Sequence, residues 1–362
     1  MSKNALILPF YLKASQITLG ILAGGYLLYV GQDIVLPLVL AIIIAILLNP
    51  MVNNLSRRGL STGLSIIITL VMFIVLLAGG GFFIVYQAVS FSDAFPEMFG
   101  NLTLLWQQVV SWICEVLSVN EEVFHEWLSN IWLQARSSTT ALLGGMLGDV
   151  SSFIAASCLL PIYVFMLLYY KSLLHAFILR LFPNGIAEDV IRQTKLLIQG
   201  YLRGLMLESA VVGMLQSLVL VIIGIPYALL FGVIGGMVNL IPYVGSIIAM
   251  ALPILLSLAT GQPLKATWVG AAYMVIQFLD NYFLVPKIVD PKVQINALVS
   301  IIAVLIGGAI WGVSGMFLSI PVTAVLKVIF DKVQSLQPLG FLLGDTSVNS
   351  SQTTSSIVSN PK

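Results

Sequence analysis

Long stretches without a charged residue divide this chain. Residues 14–32 are uncharged, as are 34–56, 59–92, 150–170, 209–264, 266–279 and 293–326. A helix crossing about 30 Å of hydrocarbon needs about 20 apolar residues. The pattern therefore predicts one span in 14–32, a second in 34–56, a third near 62–87 and a fourth in 151–170. The run 209–264 is long enough for two crossings or more. It divides at Gly224–Ile225–Pro226, because proline breaks the helical hydrogen-bond ladder. Residues 265–284 and 296–330 supply the remainder, about eight spans in all. The runs are continuous, without the ten-residue alternation of a membrane β-barrel, so the spans are helices. The apolar stretch 14–31 is too long for a signal-peptide core, and no small-x-small site follows it; a cleaved leader is not expected.

Between the third and fourth spans lies residue range 88–150. Leu102, Leu105, Trp106, Val109, Ile113, Val116 and Leu117 recur at helical spacing, which predicts an amphipathic helix. Ser118 and Glu121 have capping-box spacing and could start another, with Phe124, Trp127, Leu128, Ile131 and Trp132 on its apolar face. Four of the six tryptophans fall here. An aromatic belt against headgroups is the plain reading, and a ligand-stacking platform the sharper one.

Composition narrows the class. Hydrophobic residues make up 59% of the 362 and charged residues 9%, against about 25% charged in an ordinary soluble domain. That excludes a disordered chain, and the formal net charge of +1 leaves no basic surface for nucleic acid. The chain reads as an all-α integral membrane protein, with membrane lipid as its surroundings. Lys3 and Lys13, then Arg57 and Arg58, then Lys171, Arg180, Arg192, Lys195 and Arg203, then Lys327 and Lys332 all fall on one side if the N-terminus is cytoplasmic. The opposite side holds 88–150, with Arg136 and seven acids. Lys287 and Lys292 do not fit a plain eight-span count, which suggests broken or re-entrant helices in the C-terminal half. The organisation expected is three membrane helices in 1–87, an extracytoplasmic amphipathic helical segment in 88–150, a fourth helix and a cytoplasmic helical segment in 151–204, a transport core in 205–335 and a mostly disordered cytoplasmic tail in 336–362.

No Walker A, HExxH, GxSxG or Rossmann glycine pattern is present, so neither an enzyme nor a cofactor is expected. His125 and His175 stand alone, and Cys114 and Cys158 are too few for a cysteine-rich site, so no metal is expected either. Candidate chemistry gathers in the second half. Gly236-Met-Val-Asn-Leu-Ile-Pro242 echoes Gly315-Met-Phe-Leu-Ser-Ile-Pro321, and Phe231-Gly-Val233 parallels Trp311-Gly-Val313. Interrupted segments at matching places in two repeats point to a transporter's binding site, although Gly-rich helices also produce such echoes by chance. Asp280 follows fourteen uncharged residues. A carboxylate at membrane depth suggests ion or proton coupling, whereas one at the interface caps or positions the next segment. Gln277 and Asn281 could share its helix face. Glu208 lies near the start of a span, either as an interfacial acid or as a coupling acid. Asn239 precedes Ile241–Pro242, where it could bind a polar solute or satisfy the broken helix.

The order of these blocks carries a family resemblance. Two closely spaced spans, a third, an outer amphipathic segment, then Asn239-Leu-Ile-Pro-Tyr-Val-Gly245, Gln277-Phe-Leu-Asp-Asn281, Pro286 and Trp311-Gly-Val-x-Gly-Met-x-Leu-x-Ile-Pro321 resemble the autoinducer-2 exporter (AI-2E) family over roughly residues 10–335. The resemblance implies a multi-pass permease of the bacterial inner membrane without an ATPase of its own. It implies export of a small polar solute such as the quorum-sensing signal autoinducer-2, or sodium or lithium/proton antiport. It also implies a homo-oligomer, with a pentamer as the candidate state. The positions that match its motifs are Asn239, Pro242, Gly245, Gln277, Asp280, Asn281 and Pro286, then Gly312, Gly315 and Pro321. With Glu208 added from its own position, Asn239, Pro242, Gly245, Gln277, Asp280 and Asn281 are the expected substrate or ion path. Gly236, Pro286, Gly312, Gly315 and Pro321 are the expected hinges. A neutral solute would use Asn239, Gln277 and Asn281, and a cation would use Glu208 and Asp280, so the residues leave both substrates open. A membrane scaffold whose outer segment binds a partner is the competing class.

Overall fold

A computed structural model describes residues 10–92, 111, 115, 150–181, 185–241, 245–288 and 295–344. The predicted amphipathic helices of 88–150 fall almost wholly outside these, as do Pro242, Lys292 and the tail from 345. The described chain is helical, with one antiparallel bridge between Ile295 and Gly344. The helices are α1 (Phe10–Val30), α2 (Gln32–Arg57), α3 (Thr62–Ser92), α4 (Val150–Tyr169), α5 (Lys171–Leu181), α6 (Ile186–Ile223), α7 (Ala228–Val238), α8 (Gly245–Ala259), α9 (Pro263–Leu279), α10 (Val285–Ile288), α11 (Ala297–Lys332) and α12 (Gln337–Leu343).

Helices α2, α3 and α4 pack around Ala41, Ala45, Leu48, Val52, Ile66, Leu70, Val164 and Leu168. Ser65 and Thr69 are buried in this packing. Each hydroxyl donates to the carbonyl four residues back, Ser61 O at 3.0 Å and Ser65 O at 2.8 Å. An apolar bundle can hold such groups because the helix itself supplies their partner. Outside these contacts α3 presents exposed apolar side chains such as Leu76 and Phe82, and α6 presents Met214 and Ile222, as a lipid-facing surface does.

Among the described residues, four helices have the length and apolarity of a membrane span, Gln32–Arg57, Thr62–Gln87, Ile186–Ile223 and Ala297–Lys332, and the last of these is broken at Trp311 and Gly312 and is not one straight crossing. Leu159–Tyr169 and Lys171–Arg180, bent by 64° at the residue between them, would make a fifth. The chain is thus a multi-pass membrane protein, but the described residues do not resolve into eight simple crossings. The difference arises in the second half. There the apolar sequence is spent on helices too short to cross alone.

Two hairpins account for this. The first joins α7 and α8. Helix α6 ends where expected, at Gly224 in the left-handed region (φ 73°), and α7 follows after a short turn. It runs only 11 residues before breaking at Asn239, and α8 runs 15 residues back. Glycines bring α7 onto α6: a Cβ on residue 236 would lie 2.6 Å from the Ser209 carbonyl and 3.0 Å from Gly213 Cα. Ser209, Gly213 and Ser217 recur every four residues, so α6 presents a small-residue stripe to α7. The second hairpin is α11. Its helix is interrupted at Trp311 and Gly312, the latter at φ 59°, ψ −140°. That conformation is open almost only to glycine. The chain reverses there, so that Gly307 meets Gly315 and Ser319.

The hairpins enter from opposite ends. Asn239, at the tip of the first, reaches Glu208 on α6, while Lys265 Nζ donates to Gly224 O at 2.9 Å at that hairpin's open end. The open end of the second lies at the other end of α6, where Lys332 pairs with Asp189 at 2.5 Å. Its tip lies against α1, where Trp311 Nε1 donates to Leu28 O at 3.0 Å.

Candidate functional site

The first hairpin carries its chemistry at its tip. Asn239 is the residue at which α7 ends. Its amide could have gone to the exposed carbonyls of its own broken helix. Instead Nδ2 donates to Glu208 Oε1 at 2.6 Å and to Asp280 Oδ2 at 3.4 Å. Glu208 comes from α6 and Asp280 from the end of α9, so three elements converge on one amide.

Local structure explains each position. Glu208 lies on the buried face of α6 with Leu205 and Val212 and is 2% exposed. Asp280 is 3% exposed and opens a π-helical turn, Asp280–Leu284. The wider turn precedes Pro286, which has no N–H to donate, and the helix continues through α10. Such π-turns are frequent at functional sites. The Oδ1 atom of Asp280 is buried without a hydrogen-bond partner. No Lys or Arg is paired with either carboxyl among the described residues. Two acids in contact with one neutral amide have no fixed countercharge among the described residues. In a low-dielectric interior, charge on such a pair is costly unless it is neutralised.

The other expected path residues divide. Gly245 opens α8 and is buried in close contact with Val238 and Asn239, so it shapes the tip rather than lining it. Gln277 and Asn281 pair with each other, Nε2 to Oδ1 at 3.2 Å. Asn281 is exposed while Asp280 is buried. They therefore do not share the face of Asp280. Successive helical residues point about 100° apart, so residue 281 falls over 277 while 280 turns inward.

The expected hinges divide too. Gly312 is the break of the second hairpin. Gly236 lies inside α7, three residues before the break at Asn239, and acts in packing. Gly315 and Pro321 lie within the returning arm of α11, beyond its break, and Pro286 lies on a helix that continues past it. Within the described residues, the Gly236–Ile241 part of the echo and its Gly315–Pro321 counterpart therefore do not take matching structural positions. One copy leads into a tip and the other follows one.

Among the buried polar side chains without a sequence signal are Gln216 on α6 and Tyr273 on α9. Gln216 lies two turns from Glu208, and Tyr273 two turns from Asp280. His175 is exposed on α5. Cys114 and His125 fall outside the described residues.

Comparison with known proteins places the chain. Residues 17–335 match the model of the AI-2E family transporter. The protein YrrI of Bacillus subtilis (strain 168), a transport protein by name, is 36% identical over 128 residues, 35% of this chain and 36% of its own length. YueF of the same organism, also a transport protein by name, is 24% identical over 279 residues, 74% of this chain and 75% of its own. The AI-2 transport protein TqsA of Escherichia coli (strain K12) is 27% identical over 137 residues, 38% of this chain and 40% of its own. The chain thus spans about a third of YrrI and three quarters of YueF.

Proposed function

The chain belongs to the AI-2E family of transporters, and we propose that it is a secondary transporter exporting a small polar solute, with a proton or monovalent cation bound at Glu208 and Asp280 as its coupling step. The observation that carries this reading is the Asn239 amide held between two buried carboxyls at a helix break. Broken helices meeting at a buried polar site are the arrangement by which secondary transporters bind and move substrate.

The coupling follows from charge. With both carboxyls ionised, their repulsion is relieved only by the Asn239 donor. A proton or a small cation between them removes the repulsion and competes with the amide for the same oxygens. Loading the site therefore changes what holds the hairpin tip, and a ligand with different affinity for two states shifts their populations. The α7–α8 hairpin is the moving part, and α2, α3 and α4 the scaffold. The solute is of the kind named for TqsA, a small polar molecule such as autoinducer-2. The protein works in the bacterial inner membrane as a homo-oligomer, with the N-terminus in the cytoplasm.

A second reading, Na⁺ or Li⁺/H⁺ antiport, is favoured by the same unpaired carboxyls, which need no organic solute to function. The test is a ΔpH assay in everted vesicles with Na⁺ or Li⁺ added, on the wild type and Asp280→Asn. Cation-dependent collapse of ΔpH that disappears in the variant supports antiport through Asp280. A silent wild type, with release of a labelled furanone signal, supports export. Full transport with unchanged pH dependence in Asp280→Asn would sink both.

A further inference from the structure

We propose that Gln216 and Tyr273 form a second polar station on the path, about 12 Å along α6 from the carboxyl pair, which holds a small oxygen-coordinated species, water or a dehydrated monovalent cation. The inference deepens the transporter reading and rests on it.

Gln216 is 2% exposed and Tyr273 4% exposed. Gln216 Oε1 and Tyr273 Oη are both buried and both lack a hydrogen-bond partner. An unpaired polar atom in a bilayer-embedded bundle is costly, so such atoms point to an occupant. The register of α6 and α9 brings the two to one level. The helices run antiparallel, with Lys265 beside Gly224 at one end and Asp280 beside Glu208, through Asn239, at the other. Halfway between those contacts, Tyr273 is level with Gln216. Their shared neighbours agree. Gln216 Oε1 and Ala249 Cβ both border the place a Cβ on residue 235 would take, and Ala249 and Tyr273 belong to one packed cluster with Leu220 and Val269.

Both atoms can accept from water or face a cation, and Tyr273 can also donate. Neither carries charge, so the station cannot trap an ion as tightly as two carboxyls would. A weaker neutral site beyond a charged one suits passage, because an ion must leave as well as enter. The station lies between the carboxyl pair and the Gly224 end of the bundle. It would be the next stop for whatever the pair releases in that direction.

The experiment has two independent arms on the full chain. Radiolytic hydroxyl labelling of the wild type in proteoliposomes reads water beside Tyr273 directly. Labelling is expected at Tyr273 despite its burial. Protection by Na⁺ or Li⁺ identifies a cation as the occupant, and labelling indifferent to both identifies water. Absence of labelling at Tyr273 with and without cation overturns the station. The second arm compares transport by Tyr273→Phe and Gln216→Met, which keep volume and remove only the polar atoms. Each is expected to slow transport about tenfold, the equivalent of one lost hydrogen bond, with the pH profile set by the carboxyl pair unmoved. Wild-type rates in both variants overturn the station. A labelled Tyr273 in a wild type with no transport of cation or solute would instead defeat the functional reading and leave the station standing.

Discussion

An amide shared by two carboxyls makes an unequal contribution to each partner. Asn239 has two N–H donors and one carbonyl, and its donor is committed to Glu208 at 2.6 Å while reaching Asp280 at 3.4 Å. Removing the amide leaves two buried acids facing each other. Asn239→Leu is therefore expected to destabilise the folded protein by about 1–3 kcal/mol, the cost of buried polar groups left unpaired. It should also abolish coupled transport, and thermal unfolding in detergent together with vesicle flux would read both. Glu208→Gln has the opposite character. It removes one charge, keeps the shape, and still accepts from Asn239. Stability is expected to hold or rise while cation- or proton-dependent flux is lost. A Glu208→Gln protein with wild-type coupling would take Glu208 out of the path. Each of the three residues was visible in the sequence separately, as an acid near a span, an Asn before a Pro and an acid after an apolar run. Their convergence was not, because it depends on how far a broken helix reaches back across α6.

At the scale of elements, the Gly/Pro interruptions predicted that helices break but not which residue breaks them. Gly312 bears the left-handed backbone of the second hairpin, while Gly315, three residues on, serves its packing against Gly307. Sequence does not separate these uses, since both select glycine. The structure makes them separable by experiment. Gly312→Ala places a Cβ on a backbone closed to L-residues and is expected to cost about 1–3 kcal/mol. Its surroundings are open, with nothing within 4 Å of the added carbon, so the loss is backbone strain rather than a clash. Replacing Gly312 with the D-enantiomer of alanine, which favours positive φ, should restore stability in a semisynthetic chain. Gly213→Leu acts through contact instead. Its side chain would drive α6 from α7, and the first hairpin with its Asn239 tip would be displaced. Folded but uncoupled protein is the expected product, seen as intact size-exclusion behaviour without cation-dependent flux.

The whole molecule joins a three-helix packing unit, α2, α3 and α4, to two opposed hairpins on α6. The first was legible in the sequence as ordinary spans, because long apolar runs have one solution in a bilayer. The second was legible only as a misfit, in the placement of Lys287 and in a 56-residue apolar run without two clean spans. Short helices that pack on one another hide inside such a run, since periodicity carries no sign of reversal. This division predicts what the segment between α3 and α4 does. The buried cluster that Ile66 and Leu70 share with Val164 and Leu168, and with Ala41, Ala45, Leu48 and Val52 of α2, holds α3 and α4 together through their membrane portions. The Glu208–Asn239–Asp280 site draws on α6, α7 and α9 alone. Replacing residues 95–145 with a short Gly/Ser linker should therefore leave the α2–α3–α4 packing and the carboxyl site in place. The expected protein inserts, unfolds within a few degrees of the wild type, and keeps part of its cation-dependent flux, measured in the same vesicles. A deletion variant that is stable but wholly inactive would instead give the outer segment a direct part in function and revive the scaffold reading.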